Sequence, residues 1–323
     1  MTVVATHNYL TGLLAGRPAA PATPLAWFND LRAHAVDRVG AATVPTTRDE
    51  DWRFTDISPL TKISFQPVRA TLALAAADIG RFVLPEAGAR LTFVDGVYAP
   101  QLSSNDSTAE VSTIAAGLGP YGAVMQNHLG RHAAFENNAF AALNTAFLND
   151  GAMIVVPRNV AVAAPVHLLF IATQPEAASY PRCLVVAEAG STVSLIEDFV
   201  SLQDKAYFTN AVTEIAVADN ARVSHVRVQR EGAQAFHIAN CAVSLAHAGR
   251  YRHRPFRAAR SGRAAHVRRW RLCAATFRQR FDSRSVDDRR RPRAARVRGA
   301  KPSRAARGVR QQCVRRAQHG ISE

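Results

Sequence analysis

The chain has 323 residues, 48% of them hydrophobic, which is enough for one long domain or two ordinary ones. A formal charge of +15 would ordinarily indicate binding to nucleic acid or to an anionic membrane. However, residues 1–250 contain 17 basic and 21 acidic side chains, whereas residues 251–323 contain 22 Arg, one Lys and four acidic residues. The net positive charge of the chain therefore comes entirely from the segment 251–323.

The cysteines and the apolar runs exclude several protein classes. Cys183, Cys241, Cys273 and Cys313 have no Cys-x-x-Cys spacing and predict neither a disulfide framework nor a zinc site. We expect reduced thiols in a cytoplasmic protein. The N-terminus lacks a basic start followed by a long apolar run, and no stretch of about 18 apolar residues occurs, so neither secretion nor a membrane span is expected.

Residues 1–150 are predicted to form a mostly helical N-terminal region. Apolar residues recur every three or four positions over 24–40, which predicts an amphipathic helix, and a second helix is predicted within 137–150. Two strand-like runs flank Asp95-Gly96, a dipeptide that tolerates the positive φ angles of a type I′ turn. A β-hairpin is therefore predicted over residues 91–99.

Residues 151–250 consist of short runs of Val and Ile that turn residues interrupt at a nearly constant interval. The turn positions Asn159, Gly190, Asn220 and Gly249 recur with a period of about 30. Such a period without a helical pattern is typical of a β-solenoid, whose coils stack their apolar inner faces. A β-sandwich is the alternative, but it favours turn signals about every 8–12 residues. We predict a mainly β fold with an incomplete β-helix core in this segment.

The repeat is predicted to end after Gly249. Val, Ile and Leu number 26 in residues 151–250 but only seven in residues 251–323, too few to continue a stacked core. This Arg-rich tail has three interpretations, namely a nucleic-acid-binding arm, a disordered basic extension or the product of a frameshift in a GC-rich gene. The ratio of 22 Arg to one Lys favours a non-native, frameshifted and disordered tail. Another reading frame downstream of codon 250 should then encode further Val-rich coils.

Five motifs stand out between residues 51 and 168. One is the acid-Trp-basic-aromatic-Thr element with the Ser-Pro-Leu that follows it. The others are the Asp-Gly hairpin, a helix with two phenylalanines, a Gly-Ala-Met-Ile-Val-Val-Pro run, and Pro-Val-His-Leu. These motifs occupy residues 51–60, 93–98, 140–147, 151–157 and 165–168. They resemble those of SufD proteins in the SufB/SufD family of Fe–S cluster assembly proteins, and together the resemblance covers about residues 20–250.

The resemblance implies a right-handed parallel β-helix behind a helical N-terminal region, acting as a scaffold subunit and not as an enzyme. It implies a SufB-like partner bound through the β-helix and a SufC-like ATPase to which any ATPase activity would belong. Iron or an Fe–S cluster would be held only transiently in the assembled complex. The family's late Cys-x-His-Gly-Ala element and its SufC-binding helices have no counterpart in this sequence. The resemblance therefore assigns no catalytic, cofactor-binding or metal-binding residue and predicts impaired function.

Isolated histidines and cysteines in the repeat suggest a metal site as one alternative. His225 and His237 lie in predicted strands, and with Cys183 or Cys241 they would be suitable ligands for iron or zinc. Such residues in apolar strands are mostly packing residues, and we interpret them in that way.

Two other functions compete with the scaffold. The first is nucleic-acid binding through the tail, and the second is a β-helix carbohydrate-active enzyme, which needs clustered acids on adjacent coils. The candidate acids are Glu188, Glu197, Asp198, Glu214 and Asp219. Glu188 and Asp219 lie beside turns, where acids are common for structural reasons. The absence of a Gly-x-x-x-x-Gly-Lys-Ser/Thr phosphate loop and of a Gly-x-Ser-x-Gly nucleophile elbow fits a scaffold.

Overall fold

The computed structural model describes residues 3–19, 23–68, 70–257 and 263–272. The helices are α1 (Val3–Ala15), α2 (Ala26–Ala41), α3 (Ala76–Ile79), α4 (Ile114–Gly117), α5 (Gly122–His128) and α6 (Ala139–Ala146). The strands are β1 (Gln66–Pro67), β2 (Ala89–Val94), β3 (Val97–Tyr98), β4 (Ser104–Asn105), β5 (Glu110–Thr113), β6 (Ala152–Val156), β7 (Val166–Ala172), β8 (Ala177–Ser179), β9 (Arg182–Ala187), β10 (Thr192–Ser201), β11 (Phe208–Val217), β12 (Arg222–Arg230), β13 (Phe236–Leu245), β14 (Arg250–Arg257) and β15 (Arg263–Leu272). Within these residues, no helix has the length and apolarity that a bilayer span requires.

The N-terminal region contains the two predicted helices, α2 and α6, but it is less helical than expected. The Asn138 side chain caps α6 by accepting the N–H of Ala141 at 3.0 Å. Between α2 and α3, the described chain forms two 3₁₀ turns and the short strand β1. Proline recurs in this stretch, and it lacks the N–H that a helix interior requires.

Two sheets form the body of the molecule. The first sheet runs β5, β6, β9, β11, β13 and β15, with β8 beside β11 and β1 beside β8, while the second runs β3, β2, β7, β10, β12 and β14, with β4 beside β2. From β6 onward each coil contributes strands to both sheets, and the strands of neighbouring coils pair in parallel. The fold is therefore mainly β, with a β-solenoid of about four coils, as predicted. The right-handed sense stays a prediction.

The hairpin lies where Asp95-Gly96 predicted it, between β2 and β3. Asp95 and Gly96 have φ angles of 50° and 87°, as a type I′ turn requires. β2 also pairs in parallel with β7. The solenoid sheets thus begin before residue 151, and the division of the chain at that residue stays a prediction.

The turns of successive coils stack on one another. Asn159, Gly190, Asn220 and Ala248 have positive φ angles. The backbone N–H of each of the first three donates to a carbonyl of the following coil at 2.9 Å. A Cβ at Gly190 would lie 2.3 Å from Asn159 Oδ1, so a larger residue there would require the Asn159 side chain to move. The fourth turn residue is Ala248 and not the predicted Gly249.

The expectation that the repeat ends after Gly249 is wrong for the residues that follow immediately. β14 pairs in parallel with β12, and the backbone of β15 pairs with β13. The expectation failed because a β ladder is held by backbone hydrogen bonds, which arginine-rich sequence forms as well. The prediction of a frameshifted, disordered tail otherwise concerns residues 258–262 and 273–323, which lie outside the described residues, and it stays a prediction.

Packing differs between the outer faces of the two sheets. α1, α2 and α6 cover the first sheet, where Phe140 packs near Phe208 of β11. The first coils of the second sheet are covered by Leu74, Ile79 and Phe82. In its last strand, β14, the outward side chains are exposed.

Candidate functional site

One row of interior positions in the solenoid changes from apolar to polar between the first and last coils, while the apolar core continues beside it. Leu168 of β7 belongs to the apolar interior, and it pairs in register with Glu197 of β10, which in turn pairs with Arg227 of β12. Other polar side chains follow in the same coils. We call the following six residues the inner polar cluster: Glu197, Thr213, His225, Arg227, Cys241 and Tyr251.

Glu197 and Arg227 form a buried ion pair, 1% and 3% exposed, at the centre of the inner polar cluster. Arg227 donates to Glu197 Oε2 at 2.8 Å from Nε and at 2.6 Å from Nη2. The Thr213 hydroxyl donates to Oε1 at 2.5 Å. Burial alone would raise the pKa of Glu197, but the charges of Arg227 and His225 outweigh it and hold that pKa below its usual range. Glu197 is thus ionised at neutral pH.

His225 joins this ion pair to Tyr251. Its Nε2 lies 3.1 Å from Glu197 Oε2, and its Nδ1 lies 2.7 Å from the Tyr251 hydroxyl oxygen. Burial lowers the pKa of His225, whereas the carboxylate of Glu197 and the thiol of Cys241 raise it, and the net shift is upward. The shift favours the imidazolium, in which both ring nitrogens donate.

The two described cysteines have opposite electrostatic environments. Burial raises the pKa of the Cys241 thiol, but the hydrogen bond and charge of His225 and the charge of Arg227 outweigh it, so this pKa is lowered. For Cys183, burial and the charge of Glu197 raise the pKa well above its usual value. Thiolate character is therefore concentrated at Cys241, whose Sγ also lies 3.6 Å from the Tyr251 hydroxyl oxygen.

The structure assembles part of the metal-ligand set suggested by the sequence. His225 and Cys241 share the inner polar cluster, and Cys183 and Cys241 each pair in register with residue 213 of the strand between them. His237 lies elsewhere, with Nδ1 2.9 Å from Glu231 Oε2. Among the residues that the structure describes, no group of three or more His, Cys, Asp or Glu side chains is arranged to hold a metal ion.

The acids considered for carbohydrate chemistry do not form a facing pair in a cleft. Glu188 and Asp219 accept backbone N–H groups beside the turns, at 3.0 and 2.9 Å. Asp198 and Glu214 are buried, and each is paired with an arginine. Glu197 is committed to the inner polar cluster. Glycoside hydrolysis needs two carboxyl groups flanking a bound sugar, and this arrangement does not provide them.

Sequence reasoning missed Arg227, Thr213 and Tyr251. Arg227 follows Glu197 by one period of the repeat, so the sequence already placed an acid and a base in adjacent coils at the same phase. Thr213 has no comparable signal. The sequence interpretation places Tyr251 in the Arg-rich tail, although its position in the repeat matches that of Val223 one coil earlier.

Comparison with known proteins gives two family models that adjoin along the chain. Residues 10–168 match the SufBD protein N-terminal region, and residues 170–263 match the SufBD core domain of SUF system FeS cluster assembly. The chain belongs to the SufB/SufD family. The core match continues to residue 263, so family sequence extends further than the predicted limit near residue 250.

Individual members of the SufB/SufD family show the same relationship. An iron–sulfur cluster assembly SufBD family protein of Synechocystis is 35% identical over 236 residues, which are 68% of this chain and 51% of that protein. SufD of Escherichia coli is 29% identical, over 63% of this chain and 46% of that protein, and SufD of Bacillus subtilis is 23% identical, over 62% and 48%. The chain spans about half the length of these curated relatives.

Proposed function

We propose that this chain is a SufD-like subunit for Fe–S cluster assembly that acts in the cytoplasm as a scaffold and not as an enzyme. The proposal is carried by the nearly continuous match of residues 10–263 to the N-terminal and core models of one family. Relatives named for Fe–S cluster assembly support it. Neither comparison supports nucleic-acid binding or carbohydrate chemistry.

The inner polar cluster favours a structural role over a catalytic one. Its charged side chains are buried and bonded to one another, so a substrate has no access to them in this conformation. Paired charges in a closed interior hold neighbouring strands in one register, since a shifted register would leave a buried charge unpaired. On this basis iron or an Fe–S cluster is a transient cargo of the assembled complex and not a resident cofactor of this chain.

A SufB-like subunit is the proposed partner, and the outward face of β14 is the proposed contact. This face presents Arg252, Arg254 and Phe256, of which Phe256 is 56% exposed. Aromatic residues and arginines are enriched in protein–protein interfaces, and this face of β14 exposes both. ATP hydrolysis in the complex would belong to a SufC-like subunit.

Co-purification tests this proposal. The full chain would be co-expressed with tagged SufB-like and SufC-like subunits from the same genome, and we expect it to be retained at a fixed stoichiometry. Phe256→Asp should weaken retention, whereas Val97→Asp, at a 50% exposed position on the β2–β3 hairpin, is the matched control and should not.

Failure of the unmodified chain to co-purify would contradict the proposed partnership. Equal retention of the Phe256→Asp variant would show that the contact lies on another face. ATP hydrolysis by the purified chain alone would contradict the non-enzymatic role.

A further inference from the structure

Two histidines face each other outside the solenoid, at the end of α5. His128 is the last residue of that helix, and His132 follows one short turn later. His128 Nδ1 lies 3.1 Å from His132 Nε2, and the ring centroids are 5.3 Å apart. Both side chains are half-buried.

Glu214 of β11 binds the turn that carries His132 to the first sheet. The Glu214 carboxylate accepts the backbone N–H groups of Gly130 at 2.8 Å and of His132 and Ala133 at 2.9 Å. Arg182 fixes this carboxylate in turn, with Nη2 2.5 Å from Oε2. These bonds fix the backbone of His132 against the sheet, and the 3.1 Å contact between ring nitrogens then brings the two imidazoles together.

Glycine at position 130 is required by this turn. Gly130 has a φ angle of +75°, which side-chain-bearing residues rarely adopt. A Cβ at this position would also lie 2.6 Å from the side chain of Leu31 in α2. The turn is thus packed against a helix as well as bonded to the sheet, which limits its movement.

The surroundings of His128 favour the unprotonated form that ligates metal ions. Burial lowers the pKa of His128, the proximity of His132 lowers it further, and the charge of Glu214 partly opposes these effects. Neutral imidazole nitrogens are the commonest protein ligands of late first-row divalent cations.

We propose that His128 Nδ1 and His132 Nε2 together bind a divalent first-row transition cation, with water completing its coordination. Metal–nitrogen bonds of about 2.0–2.1 Å, the length found for Zn²⁺, span the 3.1 Å separation at an angle of about 100°, between octahedral and tetrahedral values. Glu214 is paired with Arg182 and accepts the backbone N–H of His132, so it positions the turn and is not a ligand of the ion. This site is separate from the inner polar cluster and independent of the proposed scaffold function.

Titration of the full chain with Ni²⁺ under reducing, oxygen-free conditions tests the site. Imidazole is a suitable ligand for Ni²⁺, and thiols bind this ion less strongly than they bind softer ions. Isothermal calorimetry should show one site. Its affinity should be at least ~10-fold lower in His128→Gln and in His132→Gln, because losing a ligand costs at least as much affinity as losing a residue that only hydrogen-bonds to a ligand. His247→Gln, at an exposed turn histidine, is the matched control and should bind as the unmodified chain does. Circular dichroism would establish that each variant is folded.

The pH dependence gives a second readout that does not rely on a variant. Affinity should fall as pH is lowered from about 7.5 to about 5.5, because both imidazoles must be unprotonated to bind the ion. Unchanged Ni²⁺ affinity in a folded His128→Gln chain would overturn the proposal, as would affinity that does not change over this pH range. An equal loss in the His247→Gln control would also overturn it.

Discussion

The first and last coils of this solenoid fill one row of their common interior with different chemistry, beside an apolar core that continues through both. In β7, Leu168 and Phe170 pack in an apolar core, and the Phe170 ring stacks between neighbouring rings at centroid distances of 5.2 and 4.8 Å. In the later coils, Glu197, Arg227 and His225 take the central positions. The difference shows that one backbone repeat accepts either core, provided that every buried charge has a partner.

The two cores should fail in different ways. An apolar core loses stability in proportion to the volume removed, and the loss depends on how far the site can collapse. A charged core loses most when a single partner is removed, because the other charge is left buried and uncompensated. Substitutions of the polar and of the apolar interior residues therefore test whether the two differ in this way.

Removal of the arginine should have the largest effect. Arg227→Met leaves the Glu197 carboxylate without its main partner, and we expect the free energy of unfolding to fall by about 3–5 kcal/mol. Urea unfolding of the full chain, followed by circular dichroism, measures it. In the double variant Glu197→Gln/Arg227→Met most of the loss should be recovered, because no buried charge remains. A double variant less stable than Arg227→Met would contradict the account.

Truncation in the apolar half should come next. Leu168 is fully buried, so Leu168→Ala should lower the free energy of unfolding by about 2–5 kcal/mol. Val97→Ala, at an exposed position, serves as the control and should stay within about 0.5 kcal/mol of the unmodified chain. Unlike the charged pair, this cavity should not be relieved by neutralising Glu197. Recovery in Leu168→Ala/Glu197→Gln would show that the two cores are not distinct.

Acid should weaken the charged half selectively. The folded pKa of Glu197 is held low, so the unfolded chain takes up this proton first as pH falls. The stability contributed by this carboxylate is present above its unfolded pKa and is lost progressively below about pH 5. Glu197→Gln should therefore reduce the dependence of unfolding free energy on pH between about pH 5 and pH 3. Glu86→Gln, at an exposed position, should leave that dependence unchanged and is the control.

Thiol reactivity should show the smallest difference. Both thiols are buried, so iodoacetamide reaches them only during local opening; the pKa of Cys241 is lowered and that of Cys183 is raised, so Cys241 should be labelled first under native conditions. Peptide mass spectrometry of a time course distinguishes the two sites. In denaturant both should react at similar rates, which provides the control. Earlier labelling of Cys183 in the folded chain would refute the assigned electrostatics.

Local sequence signals were sufficient for the backbone of the coils. Asn159, Gly190 and Asn220 mark turns because few other residues tolerate a positive φ angle, and their spacing predicted the solenoid. The same reasoning failed at Ala248, since a positive φ angle on alanine has no sequence signal. Asp95-Gly96 identified the hairpin for the same reason, because both residues tolerate the positive φ angles of its turn.

The interior chemistry was much harder to predict. Glu197 and Arg227 lie one period apart in the sequence, but the period of a repeat does not tell which face of a strand is inside, so their burial as an ion pair was not predicted. The association of Glu214 with the turn at Gly130 joins residues distant in sequence, and no local pattern reports such a contact. At β14 the arginine-rich composition argued against a strand, whereas backbone pairing with β12 supports one.

Stacked turns give the solenoid a modular length. Thr192 pairs with Arg222, and Val193 with Val223, so residues one period apart occupy equivalent places in neighbouring coils. Removing residues 191–220 would join Gly190 to Ala221 and leave every later side chain on its present face, whereas removing one residue fewer would reverse inside and outside in the strand that follows. The number of coils is thus a quantity that insertion or deletion changes in whole units.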